Sequence, residues 1–210
     1  MRVGEPMYVF YGYVEDGYDE NGHIVYKNMD DDPAITAADK TIIGDPNPDF
    51  LVNLTTAVSY KGFTLSAFFQ SSIGNDIYSL SMAAQAYDYG YNGNTLREVY
   101  YNHWTPENPT AKYPNLDQTS YKMSDRFVYD GSFVRLKNLE LAYDVPCARS
   151  KFIKRARVYV SAQNLFTITS YPFWDPDINA NGGGSSMIQG VDSYCYPSAR
   201  TYTIGCRLTF

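Results

Sequence analysis

Two carboxylates stand side by side in Asp175-Pro176-Asp177. Glycoside hydrolysis uses such a pair, one as acid and one as base, about 5–10 Å apart across a cleft. Loop carboxylates fall at this spacing often, and no second catalytic signature accompanies them. The chain has no G-x-S-x-G, H-E-x-x-H or P-loop string. His23 and His103 are isolated and lack the spacing of metal ligands. Cys147, Cys195 and Cys206 are odd in number and form no C-x-x-C, so they read as free or buried thiols. The expectation is a protein that is not an enzyme, with no metal and no cofactor.

Aromatic side chains offer a different chemistry. Tyr87, Tyr89, Tyr91, Tyr100, Tyr101 and Trp104 crowd one segment, and Tyr171, Phe173 and Trp174 crowd another. Their faces stack on sugar rings while hydroxyl and indole edges donate hydrogen bonds. The same residues would also serve as an interfacial aromatic girdle with loop packing. Aromatic residues make up 16% of the 210 positions, with 21 Tyr, which suits strands better than helices. The net charge of −6 excludes a general nucleic-acid binder. That charge is uneven, −8 over residues 1–50 and +4 over 131–210. No run of 18 apolar residues exists, which excludes a spanning helix but not a spanning β-barrel. No apolar segment follows Met1 as a signal peptide requires.

The elements that must position these residues are strands. With a turn at Lys61-Gly62, Tyr60, Val58, Thr56 and Leu54 oppose Phe63, Leu65, Ala67 and Phe69 on an apolar face. Ser59, Ala57, Thr55 and Asn53 oppose Thr64, Ser66, Phe68 and Gln70 on the other, so side-chain sorting sets the register. Tyr202, Ile204, Cys206, Leu208 and Phe210 share one face of 199–210, and Ala156, Val158, Val160 and Ala162 one face of 155–166. In 132–143 the alternation slips, and a bulge near Lys137-Asn138 would keep one face apolar and Glu140 off it. One short helix is predicted near 95–101. Connections alternate strictly, short at 61–62 and 144–154, long at 15–49, 73–131 and 167–198. Outer-membrane barrels alternate periplasmic turns and extracellular loops in this way. Six strands, counting one before residue 15, are too few for a single-chain barrel, and open edges in lipid are prohibitive. The strands are therefore read as part of a larger closed sheet. Arg135, Lys137, Arg155, Arg157 and Arg207 would face its bore. The alternative is a soluble all-β carbohydrate-binding module, with Val58, Leu65, Val160 and Leu208 tucked between two stacked sheets.

Six strings, in order, carry a resemblance. They are Ile43-Gly44-Asp45-Pro46-Asn47-Pro48-Asp49-Phe50, Ser59-Tyr60-Lys61-Gly62-Phe63, Gly74-Asn75-Asp76-Ile77-Tyr78, residues 130–139 (DGSFVRLKNL), 158–166 (VYVSAQNLF) and 196–205 (YPSARTYTIG). The chain resembles the C-terminal end of the SusC/RagA-type TonB-dependent outer-membrane transporters. The resemblance implies an antiparallel meander forming the C-terminal strands of a 22-stranded transmembrane β-barrel. It implies long extracellular loops, import of oligosaccharide or sometimes peptide, and energy from the TonB complex. It also implies a SusD-type lipoprotein as lid. Residues 1–210 would be the C-terminal portion of the barrel, with the plug, the TonB box and the earlier strands outside this sequence. Tyr202, Ile204, Leu208 and Phe210 then read as the signal recognised by the barrel-assembly machinery. Family members often carry an acidic D-x-N-x-D-G string before the first motif. In the matching residues 28–39 the alternate spacing and the glycine of a calcium loop are expected to be lost.

Overall fold

The computed structural model describes residues 3–86, 94–118, 120–147, 152–178 and 189–210. In chain order the strands are β1 (Phe10–Gly12), β2 (Glu15–Tyr18), β3 (Ile24–Tyr26), β4 (Thr41–Gly44), β5 (Phe50–Tyr60), β6 (Phe63–Ile73) and β7 (Asp76–Ser79). After the helices α1 (Leu80–Ala86) and α2 (Arg97–Tyr101) come β8 (Val128–Asp130), β9 (Phe133–Val145), β10 (Arg155–Thr169), β11 (Val191–Asp192) and β12 (Thr201–Thr209). They divide into two units. One holds residues 1–47, 75–130 and 178–195, the other 48–74, 131–177 and 196–210.

The second unit is one sheet of five strands in the order β12-β10-β9-β6-β5, which is also chain order, so it is an antiparallel meander. The β5–β6 register runs from Phe50↔Ile73 to Tyr60↔Phe63, as the side-chain sorting predicts. Lys61 (φ 47°) and Gly62 (φ 88°) both adopt the left-handed conformation that a two-residue hairpin turn needs. The predicted bulge is present at Lys137: Asn138 faces Phe68, and Leu136 faces Phe69. On the β10 side Asn164 is the extra residue, and its φ of 51° suits Asn better than a branched side chain.

These two irregularities keep side chains of one kind in rows across all the strands. Val58, Leu65, Leu141, Val160 and Ile204 form one such row. Tyr60, Phe63, Tyr143, Val158 and Cys206 form the next, toward the short turns. The other face carries Ala57, Ser66, Glu140, Ser161 and Thr203 in the row next to the first, on its side away from the short turns. The apolar face is uncovered: Val58 is 66% exposed, Leu65 48%, Val160 52% and Leu208 46%. A water-soluble sandwich would bury these four. From Phe50 to Tyr60 a strand rises about 34 Å, about 26 Å in height at a tilt of about 40°, which matches the apolar band of a membrane barrel.

The first unit corrects the expected strand count. The segment before residue 15 is no wall strand: the three-residue β1 pairs with β4. A side chain at Gly12 would lie 2.6 Å from the Met123 carbonyl, so this segment packs closely against loop backbone. The long connections also fold more than the sequence shows. β7 pairs with β8 and, in parallel, with β11, while β2 pairs with β3. Phe10, Ile77, Val99, Tyr113 and Phe127 are buried among them. Tyr13 and Tyr26 pack at 5.5 Å, and the Lys122 ammonium lies 4.7 Å from the Tyr13 ring. The helix predicted at 95–101 is α2, and α1 is a second one that the sequence pattern did not reveal.

The two faces make opposite predictions for one substitution. Val160→Arg places a cation at mid-height on the apolar face and is expected to cost about 2–4 kcal/mol in bilayer refolding titrations. Ser161→Arg, one residue on and on the hydrophilic face, is expected to cost far less. Equal costs would contradict the assignment of faces.

Candidate functional site

The described aromatic candidates fall into one group in each unit. Tyr87, Tyr89 and Tyr91 lie outside the described residues. In the first unit, α2 presents Tyr100 (61% exposed) and Tyr101 (68% exposed), whose rings meet edge to face at 5.1 Å. The Arg97 guanidinium sits 5.4 Å from the Tyr101 ring centre. Trp104 is half-buried because its indole lies over Gly22, where a side chain would come within 2.3 Å of the ring. The φ of +79° at Gly22 requires glycine there for a second reason. Trp104 borders an open concavity of about 560 Å³ with Tyr18, Asp19, Glu20 and Pro109.

In the second unit the aromatic trio separates. Tyr171 is only 4% exposed and packs on Phe173 at 5.7 Å, so it supports the loop instead of presenting a face. Trp174 is exposed at 68%. It borders a concavity of about 400 Å³ on the hydrophilic face of the sheet, together with Phe173, Arg135, Asn164 and Ser198.

What holds this loop is a buried ion pair. The Arg135 side chain is 2% exposed and donates to Asp175, itself 5% exposed. Its Nε donates to Thr167 at 2.9 Å, and Nη1 reaches Asp177 at 3.4 Å. Asp175 also accepts from the Ser198 N–H at 2.8 Å and the Asp177 N–H at 2.9 Å. Burial opposes the charged form of Asp175. The Ser198 N–H, the Arg135 guanidinium and the Asp177 N–H together outweigh it, so the carboxyl titrates below its ordinary value of 3.8. The Asn164 amide donates to the Ala199 carbonyl at 2.9 Å, and its buried Oδ1 has no partner. The sequence marked Asp175 as half of a carboxylate pair and Arg135 as a bore-facing charge, but not that the two would pair. The slipped alternation in β9 is the signal that points to this part of the strand.

The remaining candidates are occupied locally. Asp175 and Asp177 turn to Arg135, and Asp177 also lies 3.7 Å from Lys137, so neither faces the other across a cleft. His23 Nε2 pairs with Asp117 at 2.9 Å, and His103 Nδ1 with the Tyr100 carbonyl at 2.8 Å. In the acidic loop the expected loss of alternate spacing is not what is found. Asn28, Asp30 and Asp32 do alternate, and each accepts from the N–H two residues on. Asp39 accepts from the Met29 and Thr36 N–H groups at 2.7 Å each, which lowers its pKa. Pro33 stands where a calcium loop needs glycine. Tyr202 (68% exposed), Ile204 (84%), Leu208 (46%) and Phe210 (71%) line the apolar side of β12.

A single-layered antiparallel meander, apolar on one face and hydrophilic on the other, is a piece of a transmembrane β-barrel wall. No family model matches the chain. Individual relatives do. It is 32% identical over 231 residues to TonB-dependent receptor P3 of Formosa agariphila, covering 100% of this chain and 23% of that protein. It is 30% identical over 215 residues to TonB-dependent receptor SusC of Bacteroides thetaiotaomicron, covering 100% of this chain and 20% of that protein. Among solved structures, the RagAB peptide importer in its open-open state matches with a TM-score of 0.76 at 27% identity, over 96% of this chain and 22% of that one. Its closed-closed state gives a TM-score of 0.77 at 26% identity, over 96% and 23%. The chain belongs with the SusC/RagA-type TonB-dependent receptors and spans about a fifth of the length of the curated relatives it matches. These relatives are transporters, not enzymes.

Arg135→Met would strand the Asp175 charge in a buried site and is expected to cost about 3–5 kcal/mol. Because the Asp175 pKa is lowered on folding, its contribution is full above the ordinary 3.8 and is lost as pH falls below it. Limited proteolysis at 171–178 is expected to accelerate below that pH in the parent chain. Asp175→Asn should cleave faster at neutral pH and lose this acid dependence.

Proposed function

We propose that this chain forms wall and loops of an outer-membrane TonB-dependent nutrient importer, with oligosaccharide as cargo and peptide as the second reading. The observation that carries the wall is the five-strand apolar row from Val58 to Ile204, exposed to its surroundings and backed by Ser, Thr and Glu. Kinship with SusC supports import, and the peptide importer RagAB keeps peptide in view.

In this reading the apolar face meets outer-membrane lipid, and β12 with Tyr202, Ile204, Leu208 and Phe210 is what assembly machinery recognises. The rest of the barrel and a plug complete the pore, and the TonB complex supplies energy through them. A SusD-type lipoprotein closes over the loops. Exposed Tyr100, Tyr101 and Trp174, with half-buried Trp104 and Phe173, contact cargo or lid; Tyr171 holds Phe173 in place. Trp174 has the strongest case for sugar. Its indole is accessible, and the adjoining concavity is bordered by Asn164, Thr169, Ser198 and Arg200, polar side chains that suit sugar hydroxyls.

Trp174→Ala is expected to weaken cargo binding about tenfold without reducing the amount of folded protein in the outer membrane. Radiolabelled oligosaccharide uptake, scored beside heat-modifiable gel mobility, checks both. Unchanged uptake of oligosaccharides and of peptides would remove Trp174 from the cargo path.

A further inference from the structure

Among the described residues, the non-glycine positions with positive φ are Tyr8, Lys61, Asn164 and Tyr194. Lys61 lies in the hairpin turn and Asn164 in the β10 bulge, where the backbone path calls for that conformation. Tyr8 is half-buried. Tyr194 differs from all three. Its φ is 56°, a region in which a bulky residue is strained. It is also 55% exposed, so burial of the ring does not offset that strain.

A buried network imposes the conformation. Ser81, the second residue of α1, is 4% exposed, and its Oγ accepts the Tyr194 N–H at 2.5 Å. The same hydroxyl lies 3.2 Å from the Asp192 carbonyl and 3.3 Å from Asp192 Oδ1, and donates to them. Asp192 is 6% exposed, and its Oδ1 also accepts the Cys195 N–H at 3.2 Å. Through β11, Asp192 pairs with Ser79, which is fully buried. Two successive N–H groups, those of Tyr194 and Cys195, are thus bound by buried side chains, and the backbone between them is fixed. Gly or Asn would close such a turn without strain. Tyrosine adds a ring whose direction is set by a rigid backbone.

We propose that Tyr194 is a cargo-contacting residue, and that Ser81 and Asp192 are positioning residues that hold its phenol ready for the face of a sugar ring. The inference rests on the importer reading and adds a residue outside the two aromatic segments marked by the sequence. Strain that the surrounding structure over-determines is concentrated at ligand contacts. A ring fixed in advance loses little freedom on binding, so more of its stacking is realised as affinity. Size selects the sugar. A pyranose offers an apolar face matched to a phenol, and the tyrosine hydroxyl can bond to its rim. A protein partner needs a continuous apolar core, and the flanking Ser193 and Cys195 supply no large apolar side chain.

Tyr194→Asn tests it, because Asn accepts a left-handed backbone and keeps the N–H that Ser81 binds. The full parent chain is scored in cells against radiolabelled oligosaccharides cut from α-glucan, β-glucan, fructan and xylan. The wild type is expected to import at least one of them. For that one, Tyr194→Asn should raise the concentration giving half-maximal uptake about tenfold and leave the maximal rate unchanged. The temperature at which heat-modifiable mobility is lost should not fall, since the substitution relieves strain. Ser81→Ala should raise the half-maximal concentration in the wild type and add nothing in Tyr194→Asn, because it acts through that ring. Equal half-maximal concentrations for Tyr194→Asn and the wild type would overturn the proposal. So would a lower unfolding temperature in Tyr194→Asn, which would mark the ring as packed against another part of the parent chain. Equal effects of Ser81→Ala in both backgrounds would overturn its positioning role. A wild type that imports none of the four would instead remove the oligosaccharide reading itself, and this proposal with it.

Discussion

A strand in hydrocarbon has no water to satisfy its backbone, so every N–H and C=O must find a partner on a neighbouring strand. The second unit is organised by that requirement. Five strands of 9 to 15 residues pair continuously from β5 to β12, and the pairing spans the long connection between β6 and β9 as readily as the two-residue turn between β5 and β6. Once the backbone is paired, the side chains have only two directions to take. Rows such as Val58–Leu65–Leu141–Val160–Ile204 are the outcome. Lys137 and Asn164 each add one residue where needed, so that Val134 and Leu136 share a face with Leu139 and Leu141 despite their opposite parity.

The hydrophilic face uses charge differently at its two ends. Near the loops, Arg135 and Asp175 are almost fully buried, and each is surrounded by further hydrogen bonds, the condition under which a buried pair is tolerable. The pair ties the loop after β10 to β9, and that tie leaves Trp174 exposed while Tyr171 is packed away. Near the turns, Arg155, Arg157 and Arg207 are only partly matched by Asp144 and Glu140. A buried ion pair and a partly matched, more exposed cluster are thus built from the same residue types. Burial and partner count distinguish them.

In the first unit, aromatic rings and cations supply much of the packing that a small set of short strands cannot. Lys122 lies over Tyr13 and Tyr26, and its ammonium also donates to the Ile35 carbonyl at 2.9 Å. Glu15 accepts from Ser124 at 2.6 Å and pairs with Arg126. Part of the acidic excess of residues 1–50 is therefore internal structure. The rest remains on exposed loops such as 28–32, where Asn28, Asp30 and Asp32 shape turns by accepting from backbone amides.

The alternation of apolar and hydrophilic residues determined the strands, the turn at Lys61-Gly62, the register of β5 on β6 and the bulge at Lys137. These follow from local geometry: side chains alternate with period two, and only certain residues accept a left-handed backbone. The aromatic segments were legible as candidates for the same reason, since composition alone marks them. Tertiary structure decided what alternation does not encode. It turned the segment before residue 15 into a partner for β4, buried Tyr171 while leaving Trp174 exposed, and brought Asp175 to Arg135, forty positions away in sequence. It also set Arg207 across from Arg157. Each of these depends on residues far apart in the chain competing for one partner or one space, and the sequence near any one of them does not record which competitor prevails.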